Sequence, residues 1–184
     1  MRIVGGACKK RSLKVPKKGV RPTKGIVRGA IFNILGELII DADVLDIFAG
    51  SGALGIEAVS RGAKHCVFVE KHPRLLRMNI TGLLHAKQAR ILSADFRLAL
   101  RRLKRQSFDV IFADPPYNKE YVQITLKLIV SYDLLKKDGI MVIEHSPLEE
   151  FALPETFTRF KARKYGDSAL SFIIKTVSVP SRLK

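Results

Sequence analysis

Between residues 44 and 145, short apolar runs alternate with longer stretches in which apolar positions recur at helical spacing. The runs near 44–48, 65–70, 90–93, 108–113 and 139–145 predict strands, and the segments near 53–61, 73–86, 96–104 and 119–131 predict helices. Regular alternation of this kind predicts a parallel sheet covered by helices on both faces. After Pro154 the pattern changes. Residues 156–164 and 168–177 read as two strands joined at Tyr165-Gly166-Asp167, an antiparallel hairpin that closes the sheet. Ahead of residue 44, two short strands are expected near 2–5 and 12–15, punctuated by Gly5-Gly6 and by Pro16 through Gly19. A helix follows, with Thr23 as a plausible N-cap and Ile26, Val27, Ala30, Ile31, Ile34, Leu35 and Leu38 on its apolar face. Gly29 and Gly36 weaken it by about 1 kcal/mol each relative to Ala if they are interior. The fold class read from this pattern is α/β: a doubly wound, mostly parallel sheet with a C-terminal antiparallel hairpin. A basic N-terminal hairpin extension is expected over 1–22 and the main domain over 23–184.

The length of 184 residues suits one domain with a full core, and the apolar fraction of 47% is ordinary for a globular chain. No apolar run approaches the roughly 18 residues of a membrane span. The start, MRIVGGACKKRSLKV, lacks the apolar stretch of a secretory signal. Cys8 and Cys66 form neither a disulfide framework nor a metal site, so a reducing cytoplasm is the expected location and no metal is expected. Charge changes the picture more. Thirty-three Lys and Arg against 17 Asp and Glu leave a net charge of +16, which favours a polyanionic partner. The charge is also segregated. No acid precedes Glu37, whereas Arg2, Lys9, Lys10, Arg11, Lys14, Lys17, Lys18, Arg21, Lys24 and Arg28 do, which reads as a phosphate-contacting arm.

Ligands of doubly wound sheets bind beyond the carboxyl ends of the strands, so the residues there carry the candidate chemistry. Gly50, Gly52 and Gly55 form G-x-G-x-x-G after the first strand of the alternating region. Such a turn lets a ligand approach bare backbone at a helix N-terminus, and it suits NAD or S-adenosylmethionine alike. Glu70 ends the next strand, where it can accept from two ribose hydroxyls of either cofactor. Asp46 separates the two: a carboxylate so close would repel a pyrophosphate but attract the cationic amino group of S-adenosylmethionine. Asp95 can accept from an adenine amine, or can cap the helix that begins at Phe96. The strand FDVIFA runs straight into Asp114-Pro115-Pro116-Tyr117. Two prolines stiffen the backbone and remove two N–H donors. The Asp114 carboxylate and the Pro115 carbonyl then offer two acceptors, and Tyr117 a flat face. These suit a planar substrate with an exocyclic amine, held so that its nitrogen points at a methyl carbon. An Asp-Pro-Pro turn with no catalytic role is the plain alternative.

DIFAGSG, Glu70 and DPPY together resemble the amino-methyltransferases that use S-adenosylmethionine. RPTKGIVRGAIFNIL, the MRIVGG start and the tail KYGDSALSFI narrow the resemblance to the bacterial 16S ribosomal RNA guanine-N2 methyltransferase family, over nearly the whole chain. DPPY alone is shared with DNA adenine and cytosine amino-methyltransferases, whereas R-P-T-x-x-x-V-R-x-A-I-F-N is more specific. The resemblance implies a Rossmann-like, seven-stranded class I methyltransferase sheet with a small N-terminal extension. It implies methylation of a guanine N2 in the small ribosomal subunit. It places Asp46, Gly50 and Gly52 along the methionine part of S-adenosylmethionine, Glu70 at the ribose, Asp95 with Phe96 at the adenine, and Asp114 through Tyr117 around the flipped guanine. Phe48, Ser51 and Lys71 complete the expected cofactor contacts. Lys24-Gly25 stands where the family commonly has a more polar pair, and Gly29 where a helix former is usual.

A base must leave its stack before chemistry can reach it. Arg11, Lys14, Arg21, Lys24 and Arg28 are the expected RNA contacts, gripping flanking phosphates. Arg97, Arg101 and Arg105 recur at four-residue spacing and form either a second basic face or a solvated one. His65, His72, His85 and His145 have no metal-ligand spacing, and His145 is read as structural. The expected partner is 16S ribosomal RNA or a small-subunit particle, with no membrane, and the expected state is a monomer. The competing readings are a DNA amino-methyltransferase, for which the chain is short of a sequence-reading domain, and a non-catalytic RNA-binding assembly factor. An NAD oxidoreductase ranks below these.

Overall fold

Val44, Leu45 and Ile47 have no exposed surface, so the first strand of the sheet is covered on both faces. That is why its sequence runs apolar without alternation. In the computed structural model, which describes residues 1–15, 25–117 and 120–176, seven strands form one sheet. They are β1 (Asp43–Ile47), β2 (His65–Val69), β3 (Ala89–Leu92), β4 (Phe108–Ala113), β5 (Leu135–His145), β6 (Phe157–Tyr165) and β7 (Ser168–Lys175). Their order is β3-β2-β1-β4-β5-β7-β6, parallel throughout except that β7 runs antiparallel to β5 and β6. The helices are α1 (Gly25–Leu35), α2 (Ala53–Ser60), α3 (Arg74–Leu83), α4 (Phe96–Leu100) and α5 (Tyr121–Ser131). The expected α/β class, the mostly parallel sheet and the terminal hairpin are all present.

Two cores follow from the period of two along each strand. On one face Val44, Phe68, Phe112, Val142 and Phe172 pack under Ile31, Phe32, Ile56 and Leu76 from α1, α2 and α3. On the other, Leu45, Val69, Ile111, Met141 and Ile173 pack under Leu100, Val122, Leu126 and Ile129 from α4 and α5. The chain turns outward in opposite directions from β1 and β4, the two adjacent strands at the centre of the sheet. The loops that leave their carboxyl ends therefore diverge around a crevice, which is where such folds bind ligands.

The N-terminal segment departs from expectation. In place of two strands over 2–5 and 12–15, a single bridge joins Arg2 to Ser12. The reason lies in α2. Glu57, with no exposed surface, takes the backbone N–H groups of Val4 (2.8 Å) and Gly5 (2.7 Å), so those donors serve the helix rather than a neighbouring strand. Gly6, at φ +75°, lies so close to the Ser60 carbonyl that a Cβ would fall 1.7 Å from it. Ile3 and Leu13 are buried in the first core, which seats the segment on the sheet domain. The helix expected near 96–104 ends at Leu100, so Arg97, Arg101 and Arg105 do not share one helix face. Arg105 instead pairs with Asp133 at 3.3 Å. Thr23 lies outside the described residues.

Candidate active site

The strand registers set up the site. Asp46 stands opposite Phe112 of β4, Phe112 opposite Val142 of β5, and Glu144 of β5 opposite Leu170 of β7. Because side chains alternate along a strand, residues two apart share a face. Asp46, Asp114, Glu144 and Ser168 thus form a row across four strands, at the carboxyl ends of β1, β4 and β5 and the start of β7. A cavity of about 790 Å³ opens over this row, with Val27 of α1, Leu54 of α2, Leu75 of α3 and Tyr121 of α5 among its walls. That volume lies within the roughly 300–1,000 Å³ range of small-molecule sites.

The loop after β1 supplies one wall. Phe48 (φ +63°), Gly50 (φ +56°) and Gly52 (φ +83°) all adopt left-handed backbone. For Phe48 this is a strained conformation of the kind that persists where the surroundings hold it. Gly50 and Ser51 line the cavity. Gly52 also has a packing role: a Cβ there would meet Leu76 Cδ1 at 2.6 Å, so this glycine lets α2 pack against α3. Gly55 works the same way against the sheet, its would-be Cβ lying 2.3 Å from the Phe68 ring. Buried Asn79 braces the loop by donating to the Ser51 carbonyl (2.8 Å), and it also donates to the Lys14 carbonyl (2.9 Å) while accepting the Lys14 N–H. One amide thereby ties the N-terminal segment to the glycine loop.

Two carboxylates flank this loop. Asp46 is buried and accepts the Gly55 N–H on Oδ2 at 2.9 Å. Burial pushes its carboxyl up to about 7, with the Gly55 hydrogen bond opposing and the nearby Glu70 charge assisting. Glu70 accepts the Gly50 N–H on Oε2 and the His72 N–H on Oε1, both at 2.8 Å. Each oxygen keeps a second lone pair, so Glu70 holds the loop while it can still accept from a ligand hydroxyl. Lys71 lines the cavity beside it. Asp95 caps α4 by accepting the Arg97 N–H at 3.0 Å and also borders the cavity.

An aromatic wall closes this side of the cavity. The Phe48 and Phe96 centroids lie 4.7 Å apart, and Tyr121 stacks on Phe48 at 6.0 Å. The Arg97 guanidinium sits over both Phe96 and Tyr121, at 4.8 and 5.3 Å, and pairs with Asp95 at 3.4 Å. These contacts occupy Arg97 locally rather than leaving it to a basic face. On the other side of the row lie Asp114, Pro115, Pro116 and Tyr117. The Tyr117 hydroxyl is 2.8 Å from Ser168 Oγ and donates to Glu144 Oε1 at 3.3 Å. Its phenol is pushed up to about 12, chiefly by burial.

Of the expected RNA contacts, Arg11 and Lys14 are exposed; Arg11 donates to the Gly82 carbonyl at 2.6 Å, and both border a second, smaller cavity of about 350 Å³. Arg28 is corrected: with 1% exposure it is an internal residue, donating to the Arg2 carbonyl and lying 3.9 Å from Glu57, so it cannot grip a phosphate. Its position on the inner face of α1 is the reason. Arg21 and Lys24 lie outside the described residues. His145 is buried between the Ser146 carbonyl and Ser171 Oγ, consistent with a structural role. Tyr121, Glu144 and Ser168 were missed by sequence reasoning. Among the described residues, no cluster of three His, Cys, Asp or Glu is placed to hold a metal, and no helix is long and apolar enough to cross a membrane.

This geometry has counterparts. YlbH of Bacillus subtilis is 42% identical over 162 residues, 85% of this chain and 87% of its own. The protein of Escherichia coli named ribosomal RNA small subunit methyltransferase D is 35% identical over 147 residues, covering 78% of this chain and 74% of its own. A solved structure of yhhF from Escherichia coli superposes with a TM-score of 0.84 at 31% identity, over 95% of this chain and 97% of that one. A family model described as Conserved hypothetical protein 95 matches residues 1–174. Matched by that family model over almost its whole length, the chain belongs to the Conserved hypothetical protein 95 family, with the ribosomal RNA small subunit methyltransferase D of Escherichia coli among its relatives.

Proposed function

We propose that this protein is a ribosomal RNA methyltransferase that uses S-adenosylmethionine to methylate the exocyclic N2 amine of a guanine in small-subunit RNA. One observation carries the reading: a buried carboxylate in the glycine-loop wall and the Asp114-Pro115-Pro116-Tyr117 turn line the same cavity. When bound, S-adenosylmethionine supplies a methyl group on a sulfonium that departs as a neutral thioether as the N–C bond forms. The residues present fit that cofactor. Asp46 would meet its cationic amino group, and Gly50 and Ser51 would let its methionine part lie against backbone. Glu70 would accept from the ribose, with Lys71 beside it, and Asp95, Phe48 and Phe96 would border the adenine.

On the substrate side, an aromatic amine is a weak nucleophile because its lone pair is shared with the ring. The Asp114 carboxylate and the Pro115 carbonyl each take one amine hydrogen, which aims the remaining orbital along the transfer path. Positioning of this sort is worth several orders of magnitude without covalent catalysis. The proton lost after transfer leaves through the Asp114 carboxylate. Tyr117 stacks on the base, with Pro116 holding the turn. The net charge of +16, with exposed Arg11 and Lys14 on the N-terminal segment, draws RNA toward the site. The relative in Escherichia coli named for the small subunit supports that RNA as the substrate. The enzyme is expected to act as a cytoplasmic monomer.

Purified protein is to be mixed with methyl-labelled S-adenosylmethionine and either unmodified small-subunit RNA, assembled small-subunit particles or duplex DNA. Nuclease digestion and mass spectrometry then identify the product. N2-methylguanosine from the ribosomal substrate is the expected result. Absence of transfer to it, or faster transfer to duplex DNA, overturns the reading.

A further inference from the structure

The Asp-Pro-Pro-Tyr turn explains how an amine is held, but not which base carries it. Adenine, cytosine and guanine all offer a planar exocyclic amine. They differ in the neighbouring ring nitrogen: in adenine and cytosine it is an acceptor, while in guanine the ring nitrogen between amine and carbonyl, N1, carries a hydrogen. A base-selecting group beside Asp114 therefore needs to be an acceptor only, and an ionised carboxylate is one.

Glu144 is in that place. Phe112 pairs with Val142 and Ala113 with Ile143, so the next residues along these parallel strands, Asp114 and Glu144, stand side by side on the same face. Glu144 borders the cavity yet is only 7% exposed. Its Oε1 receives the Tyr117 hydroxyl, which Ser168 holds from the other side. Its Oε2 has no hydrogen-bond partner among the described residues. A buried carboxylate oxygen without a donor is an incomplete site, because such groups are normally satisfied. The final torsion of a Glu side chain is soft and roughly two-fold, so an oxygen can turn toward the cavity at little cost.

Building on the guanine reading above, we infer that Glu144 is the base-selecting residue: it accepts the N1–H of the flipped guanine while Asp114 and the Pro115 carbonyl hold the N2 amine. Adenine or cytosine in the same pose would set a ring lone pair against the carboxylate. Tyr117 has two tasks, stacking on the base with its ring and orienting Glu144 with its hydroxyl.

The test compares Glu144→Gln with the natural protein on small-subunit RNA carrying either guanine or 2-aminopurine at the modified position. 2-Aminopurine keeps the amine but replaces N1–H by a ring acceptor. Comparing the two proteins cancels whatever the missing O6 atom contributes. The natural protein is expected to prefer guanine by about 100-fold in kcat/KM, and Glu144→Gln, whose amide can donate, is expected to bring that preference to within about tenfold. Binding of S-adenosylhomocysteine should stay within about threefold. A slower variant with an unchanged guanine preference overturns the assignment, as does an unchanged rate. If Glu144→Gln loses S-adenosylhomocysteine binding through misfolding, Glu144→Asp is measured instead: withdrawal of the carboxylate by one methylene should cut guanine turnover more than tenfold, and no cut overturns the assignment. The product of the natural protein separates the two levels. N2-methylguanosine with an unshifted preference removes only the role of Glu144, whereas any other methylated nucleoside removes the guanine reading and this inference with it.

Discussion

The two ends of the same three central strands carry the same kind of residue and treat it differently. At the amino ends, Asp43 of β1 and Asp109 of β4 are bridged by Lys136 of β5, at 3.4 and 2.8 Å. Asp109 also accepts the Asp43 N–H, and all three side chains are about one-third exposed. At the carboxyl ends, Asp46 follows β1's apolar run, Asp114 follows β4 and Glu144 nearly ends β5, and Asp46 and Glu144 are over 90% buried. Among the described residues no cation pairs with either of these two. A carboxylate neutralised by a neighbour in water is part of the scaffold. A carboxylate withheld from water and from cations raises the energy of the free protein, and a ligand bringing a cation or a donor relieves it. The carboxyl end is built for what arrives, the amino end for what is already there.

The largest effect at the carboxyl ends is expected from Asp114→Ala. Turnover should fall about 1,000-fold while RNA and S-adenosylhomocysteine still bind, because what is lost is positioning of the amine. Single-turnover kinetics beside a filter-binding assay separate the two effects. Asp46→Asn should weaken binding of S-adenosylmethionine by about 30- to 100-fold in calorimetry, since the amide keeps the shape but not the charge. A change below threefold would place the amino group elsewhere.

The pH dependence sharpens the same point. The Asp46 carboxyl sits at about 7 in the folded protein against 3.8 ordinarily. Between these values the folded protein holds a proton that the unfolded chain has released, so the stability of the free protein falls as pH rises from about 4 to 7. Thermal melts of the free protein should show that slope, and Asp46→Asn should flatten it. Cofactor affinity should move oppositely, strengthening toward pH 7 as the carboxylate ionises. The smallest effect belongs to the amino end. Lys136→Met should cost under about 1 kcal/mol in urea unfolding, because exposed pairs contribute little, and should leave turnover unchanged. A large loss of activity there would erase the distinction between the two ends.

The segments that carry their own local code were legible without a structure. The seven strands of the sheet emerge where apolar runs are short and bounded, and the glycine loop and Asp-Pro-Pro-Tyr are each contiguous. The helix near 96–104 was overextended because Arg101 through Lys104 are good helix formers, yet the chain turns after Leu100. Two short N-terminal strands are expected from the punctuation at Gly5-Gly6 and Pro16 through Gly19, but Glu57, more than fifty residues away, takes the Val4 and Gly5 donors of the first, and Asn79 takes the Lys14 donor of the second. Arg28 looked like part of a basic arm because sequence shows charge and not direction. Its place on the buried face of α1, near Glu57, makes it internal.

By itself, then, the sequence determined what is local: strand and helix spans, a turn that frees Gly50 for a ligand, a rigid acceptor-rich turn, and a strongly basic chain. Tertiary structure alone decided which glycines the close packing of helix and sheet requires, and which arginines meet solvent. It also placed Glu144, Ser168 and Tyr121 beside residues that in places lie more than a hundred positions earlier. The physical reason is register. A strand's own pattern dictates which of its residues share a face, but the neighbour opposite each one is set only when distant segments pair, and the site is made of those neighbours.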